Sequence, residues 1–366
     1  NSQGSERTIV VGVGLKQFPF TELKESLAEL ADLVEAAGGD VVSSIAQVLP
    51  QYNSSTLLGS GKVQEVREAV ESLEATLVVV DHQLSGVQIR NLEKEIGCRV
   101  IDRSQLILDI FAQRAQTYEG KLQVELAQML DQLPRMVGAW LGSLSRQGGG
   151  IGTRGPGETA LEMDRRRINN RVKQIKKKLE GVKSHRSQHR AWRRKYQIPS
   201  FALIGYTNTG KSTLLNALTK AQAHTKDQVF ATLDPMTKKV ELPGFKRAVI
   251  TDTVGFIRKL PTHLIEAFKA TLEESGEAEV LLHVIDLSSA QMNQQIETVN
   301  ELIKEFGWSE KPVIHVFNKM DQAGLDKQFK IHAFPRVFVS AQTGEGLDKL
   351  RQMMSEAIQH FQQSVE

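Results

Sequence analysis

Apolar and polar positions recur along this chain with two different periods, and the period changes twice. Four short β-like runs precede residue 103: Ile9–Val13, Val41–Leu49, Leu77–Asp81 and Arg99–Asp102. Helical patterns separate them over Phe20–Ala36, Val63–Ser72 and Val87–Ile96. Strands alternating with helices predict a small α/β domain with a largely parallel sheet.

The spacing then lengthens. Leu122, Leu126, Met129, Leu133, Met136 and Trp140 fall four and three residues apart, as do Ile168, Val172, Ile175, Leu179 and Val182. These are the apolar stripes of two helices that bury against each other. Between them, Gln147-Gly-Gly-Gly-Ile-Gly-Thr-Arg-Gly-Pro-Gly-Glu158 cannot continue either helix. The pattern predicts an antiparallel pair of helices with a glycine-rich tip.

After Ile198-Pro199 the α/β pattern resumes. Strand-like runs cover Phe201–Gly205, Lys238–Leu242, Ala248–Asp252, Val280–Asp286, Val313–Asn318 and Val337–Ser340. The Lys238–Asp252 stretch reads as a hairpin. An amphipathic helix carrying Leu347, Leu350, Met354, Ala357, Ile358 and Phe361 closes the chain. The expected division is an α/β domain over 1–114, a helical hairpin over 115–197, and a second α/β domain over 198–366.

Composition changes this picture in three ways. A chain of 366 residues that is 40% hydrophobic and 24% charged is long enough for two or three globular domains. No apolar run approaches the roughly 18 residues of a membrane span, and Cys98 is the single cysteine, which excludes an intrachain disulfide. With no secretory signal pattern, a cytoplasmic protein is expected, with a peripheral membrane fraction as a further location and a monomer as the expected state. The opening Asn1 suggests that some N-terminal residues have been removed. The net charge of +3 is small, but its distribution is not even. From Arg165 to Lys195 there are fourteen Lys or Arg against one acid, Glu180. So one-sided a run repels itself unless a polyanion screens it, which favours nucleic-acid contact over a merely solvated face.

The chemistry lies in the last domain. Gly205-Tyr206-Thr207-Asn208-Thr209-Gly210-Lys211-Ser212, followed by Thr213, has the spacing of a phosphate-binding loop and sits between a strand and a helical pattern. Its backbone N–H groups would cradle the β-phosphate, Lys211 would reach the β- and γ-phosphates, and Ser212 is placed to ligate Mg²⁺. Asn318-Lys319-Met320-Asp321 at another strand end chooses the base. A carboxylate at Asp321 accepts from guanine N1–H and the N2 amino group, whereas adenine would leave it unpaired at a cost of roughly 1–3 kcal/mol. Asn318 would bridge base and loop, and Lys319 would lie along the ring. In Asp252-Thr253-Val254-Gly255, Asp252 would hold Mg²⁺ through water and the Gly255 N–H would meet the γ-phosphate. Phe230-Ala231-Thr232-Leu233-Asp234-Pro235 occupies the place of the first switch, with Thr232 as its Mg²⁺ ligand and Thr225, Thr237 and Thr251 as rivals. Ser340-Ala341-Gln342 would form the loop beneath the guanine. Together these predict a GTP- and GDP-binding GTPase in which Lys211, Thr232 and Gly255 serve the reaction.

The motif set, with Asp252-Thr-Val-Gly-Phe-Ile257, Gly120-Lys-Leu-Gln-Val-Glu-Leu-Ala127 and the glycine tip Gly148–Glu158, resembles the HflX family, in the translation-factor branch of P-loop GTPases. The resemblance implies an N-terminal α/β domain, a helical linker and a Ras-like G domain. It also implies binding to the large ribosomal subunit, splitting or rescue of stalled ribosomes, and hydrolysis stimulated by that subunit. The Arg165–Lys195 helix and the Gly148–Glu158 tip would then approach ribosomal RNA. Departures from the family pattern are Thr209 in place of a frequent alanine, Met236 in place of a threonine, and a C-terminal domain reduced to a helix or absent. The other reading of the chain is a regulatory binding module, GTP gating a contact that hydrolysis resets.

Several residues carry two readings. Phe256 stands where many small GTPases place a glutamine that orients water, so slow intrinsic turnover and completion by a partner compete evenly with simple packing. Asn208 is a candidate K⁺ ligand by similarity to potassium-activated GTPases, or an ordinary loop residue. Gly59-Ser60-Gly61-Lys62 reads first as a plain turn before a helix, with a second nucleotide site as the other reading. His283 and His315 read as satisfied core residues, and Cys98 as a small apolar side chain.

Overall fold

The computed structural model describes residues 5–144, 156–196, 198–219, 229–230, 233–324, 328, 331 and 333–365. The chain divides into two compact units. One is built from 1–113 and 121–178, the other from 114–120 and 179–366.

In the first unit, β1 (Arg7–Leu15), β2 (Asp40–Leu49), β3 (Leu77–Val80) and β4 (Arg99–Asp102) form a sheet in the order β2-β1-β3-β4 with every pairing parallel. Three crossover helices follow the first three strands: α1 (Phe20–Ala37), α2 (Ser60–Ser72) and α3 (Gly86–Ile96). Gly38 and Gly97 stop α1 and α3 in the left-handed conformation that a Cβ disfavours. A further helix, α4 (Arg103–Arg114), starts directly after β4 without an intervening loop, which the hydrophobic pattern does not announce. The core is made by Ile9, Val11, Val78, Val80, Leu58, Val66, Leu92 and Ile96.

The two long helices are α5 (Tyr118–Leu144) and α6 (Pro156–Lys195). Leu122, Leu126, Val172 and Ile175 are buried, as their stripes require, and Arg171 joins Glu125 at 2.6 Å. The helix boundary differs from expectation on one side. Pro156, Gly157 and Glu158 belong to α6, because proline's fixed φ and missing N–H suit a first helical position. The rest of the predicted tip lies outside the described residues.

In the second unit, β5 (Ser200–Gly205), β6 (Met236–Leu242), β7 (Phe245–Asp252), β8 (Val280–Asp286), β9 (Val313–Asn318) and β10 (Arg336–Phe338) are ordered β10-β9-β8-β5-β7-β6. All pairings are parallel except the β6–β7 hairpin. The helices are α7 (Lys211–Thr219), α8 (Thr262–Gly276), α9 (Met292–Glu305) and α10 (Leu347–Val365). Leu214, Leu218, Leu350, Met354 and Ile358 of α7 and α10 bury one face of the sheet. Leu272 of α8 and Val299 and Leu302 of α9 cover the other with Ala202, Ile204 and Leu281. The motif loops leave the carboxyl ends of β5, β7 and β9, where open α/β sheets bind ligands.

Candidate nucleotide site

The loop after β5 is drawn tight by its own side chains. Thr209 Oγ1 donates to the Tyr206 carbonyl at 3.0 Å, and the buried Lys211 ammonium donates to the carbonyls of Gly205 (3.1 Å) and Tyr206 (2.6 Å). Burial pushes the Lys211 pKa down to about 8, while Asp252 pulls the other way. Gly210 has φ +84, and a Cβ there would collide with Asn318 Nδ2, so only glycine lets the two motifs meet. Ser212 Oγ donates to Asp252 Oδ2 at 2.6 Å, which brings the first residues of α7 to the end of β7. A Cβ on Gly255 would lie 2.9 Å from Lys211 Nζ. Thr253 is buried and bonds the Leu203 carbonyl, and Val254 is buried beside it. Thr207 is held by its N–H on the Phe256 carbonyl at 2.7 Å, and the Tyr206 hydroxyl accepts from the Arg258 N–H.

The Asn318 amide is the junction. Its Nδ2 donates to the Thr209 carbonyl at 2.9 Å and its Oδ1 accepts from the Ala341 N–H at 3.0 Å, so one buried side chain ties three loops. Lys319 takes a left-handed φ of 60° and pairs with Asp286 at 2.8 Å. Asp286 sits opposite Asn318 in the β8–β9 register. The sequence reading missed it, although an acid at a parallel strand's carboxyl end is a signal available before the structure. Ser340 is buried, its hydroxyl accepting from Thr343 N–H. A cavity of about 310 Å³ opens here, lined by Gly210, Thr213, Asn318, Asp321, Ala341 and Gln342.

The first-switch residues fare differently. Thr232, Ala231 and Thr225 lie outside the described residues. Phe230 and Leu233 are buried. Asp234 uses its carboxylate on backbone N–H groups of Gln116 and Thr117. Thr237 bonds Thr251 across the hairpin at 2.9 Å.

Packing bears on the residues that carry two readings. Phe256 is 2% exposed and packs with Ala202, Ile204, Leu272 and Leu281, so its ring belongs to the core. Asn208 is exposed with a left-handed φ of 60°. Lys62 pairs with Glu65 at 2.6 Å in the first turn of α2, as a plain helix start does. Burial raises the Cys98 thiol to about 11, which keeps it un-ionised. His283 is a core residue, but its Nδ1 has no partner among the described residues, contrary to the expected satisfied histidine. Burial, with His315 and Lys211 nearby, lowers its pKa to about 3.

A phosphate loop, an Asp-x-x-Gly strand end and an Asn-Lys-x-Asp strand end, converging at the carboxyl edge of one sheet, define a P-loop GTPase. Family models agree along the chain: "GTP-binding GTPase N-terminal" over 24–112, "GTP-binding GTPase Middle Region" over 114–193 and "50S ribosome-binding GTPase" over 200–319. The GTPase HflX of Caldanaerobacter subterraneus subsp. tengcongensis is 48% identical, over 95% of this chain and 80% of its own length. The GTPase HflX of Escherichia coli is 46% identical, over 93% and 81%. A crystal structure of SsGBP in complex with GDP is 26% identical with TM-score 0.53, over 97% of this chain and 99% of that one. The chain belongs to the HflX family of GTPases. It binds guanine nucleotides and hydrolyses GTP. Among the described residues no helix is long and apolar enough to cross a membrane.

Proposed function

We propose that this GTPase acts on the large ribosomal subunit, splitting or rescuing stalled ribosomes, with α6 and the glycine-rich segment as its RNA-facing elements. The observation that carries the reading is the basic face of α6. Arg165, Arg166, Arg167, Lys173, Lys177 and Lys178 are exposed along one helix, and the acids near them, Glu162 and Asp164, form only solvent-exposed pairs worth little. The "50S ribosome-binding" description of the family model over 200–319 supports the same partner. Residues 1–114 and 115–197 would then be ribosome-facing parts and 198–366 the nucleotide switch.

Within the switch, Asp321 reads guanine in the cavity that it lines, Asn318 holds the loops around it, and Gln342 closes the base side. Ser212 and Asp252 fit Mg²⁺: a hydroxyl and a carboxylate are hard oxygen donors, and Mg²⁺ usually takes its other ligands from phosphate and water. That ion would offset charge on the phosphate oxygens. Lys211 and the Gly255 N–H would face the same phosphates, and Thr232 is the switch residue that would complete the set. Asn208, exposed at the loop, is the residue proposed for K⁺. The buried Phe256 cannot orient water by hydrogen bonding, which fits slow turnover without a partner.

Co-sedimentation with ribosomal subunits in a non-hydrolysable GTP analogue tests the partner. Charge reversal at Arg165, Arg166 and Arg167 should reduce binding, and wild-type binding should weaken as salt rises. Arg171 is a poor choice for reversal because it is bonded to Glu125. Binding that ignores both salt and the reversals would contradict the proposal.

A further inference from the structure

The acid at the carboxyl end of β8 belongs to none of the nucleotide motifs, yet it holds one of their side chains. Asp286 Oδ2 accepts from the Lys319 ammonium at 2.8 Å. The two side chains are only 14% and 19% exposed, so water and salt screen the pair weakly. The other oxygen, Oδ1, accepts from the Ser288 N–H at 2.9 Å and from the Ser288 hydroxyl. That turn fixes the carboxylate, and the lysine comes to it. Alongside, the Leu287 N–H donates to the Asn318 carbonyl at 3.0 Å, extending the β8–β9 pairing past Asp286 and Asn318.

Lys319 has two features that call for such a hold. Its backbone takes φ 60° and ψ 34°, a left-handed conformation that a Cβ disfavours. This turn leads from β9 into the short 3-10 turn Met320–Gln322, which carries Asp321. Its four-carbon stem also has many rotamers, and fixing them on binding would subtract from affinity. Lys319 lines the cavity with Gly210, Asn318 and Asp321, whereas Asp286 is outside that lining. The wall beside Asp321 is therefore set by a residue of the neighbouring strand.

We propose that Asp286 is a positioning residue for guanine: it holds the Lys319 stem along the place of the base before nucleotide arrives. The inference rests on the reading of this cavity as the guanine site. In this scheme Asp321 chooses the base by its hydrogen bonds. Asp286 sets how firmly a guanine nucleotide is held, diphosphate and triphosphate alike, because it acts on the base side through Lys319.

A double-mutant cycle in the full chain tests this, with thermal denaturation confirming that each variant is folded. Asp286→Asn keeps the shape and an acceptor for Ser288 while removing the charge. Lys319→Met keeps an apolar stem and removes the ammonium. Each should weaken GDP about tenfold, mostly through faster release, and a non-hydrolysable GTP analogue by the same factor. The double variant should bind no more weakly than the weaker single variant, since both changes break one pair. Asp286→Glu, which keeps the charge and moves it by one methylene, runs the same cycle if the neutral variant does not fold. Its smaller loss should vanish in the Lys319→Met background. Losses that add across the cycle would show that Asp286 merely supports its own turn, and would overturn the proposal. So would wild-type GDP affinity in Asp286→Asn, or a loss confined to one of the two nucleotides. Wild-type protein that binds ADP as well as GDP would overturn the guanine reading itself, and this proposal with it.

Discussion

Both sheets of this protein gather acids at the carboxyl ends of parallel strands, yet the two edges treat them in opposite ways. In the first unit, Asp81 after β3 accepts from Ser26 at 2.5 Å and from Arg103 at 2.8 Å, and Arg103 also bonds Glu29. Asp102 at the end of β4 accepts from the N–H groups of Leu84 and Gln105 and from Arg135 on α5. Each buried charge there has a guanidinium or amide partner from another element, so the edge is closed and structural. In the second unit, the buried cation Lys211 leans on two carbonyls and Asp252 on a serine hydroxyl, around a loop whose glycines keep the backbone open. Acids at a strand edge do not by themselves make a site. What distinguishes the second edge is a buried cation held on loop carbonyls, together with backbone approach that a Cβ would block.

The largest effect that would separate the two edges is Arg103→Ala. Removing the guanidinium leaves Asp81 and Glu29 without their cation in a buried place, and about 3–5 kcal/mol of stability should go with it in denaturant titration. A loss below about 1 kcal/mol would mean that the first edge is not closed as described.

A smaller effect probes Lys211. Its folded pKa near 8 lies below its ordinary 10.5, so between those values the unfolded chain holds one more proton, and nucleotide-free protein gains stability as pH rises through that window, by about 1.4 kcal/mol per unit at most. An arriving phosphate favours the ammonium, so GDP binding at pH 9 should take up a proton and binding at pH 6.5 should not involve Lys211. Calorimetry in two buffers of different ionisation heat measures this. Equal uptake at both pH values would place the titration elsewhere.

The legible parts of the structure were those whose physics is local. Each nucleotide motif is a short run at a strand end, and the strands around it announce themselves by unbroken apolar stretches such as Val280–Asp286. The hairpin β6–β7 was legible as two strand-like runs close together in sequence, Lys238–Leu242 and Ala248–Asp252. α4 escaped because Arg103 continues from Asp102 with no turn residue, and its dense apolar content, Leu106 to Phe111, has no clean period. The Asp234–Thr117 contact escaped because its partners are 117 residues apart, and no spacing rule connects them. The Arg103–Glu29 pair spans 74 residues for the same reason. The α6 start at Pro156 was obscured by glycines on both sides of the proline.

The proposed role of Asp321 is to make this phosphate-binding fold specific for guanine by a single carboxylate. Titration calorimetry of the full chain with Mg²⁺ and GDP, ADP or XDP, repeated with Asp321→Asn, tests it most directly. Heat is expected for GDP and none for ADP in the wild type. In the variant, preference should shift from GDP toward XDP by about tenfold to a hundredfold, the equivalent of roughly 1–3 kcal/mol. Equal binding of GDP and ADP, or an unchanged preference in Asp321→Asn, would contradict it.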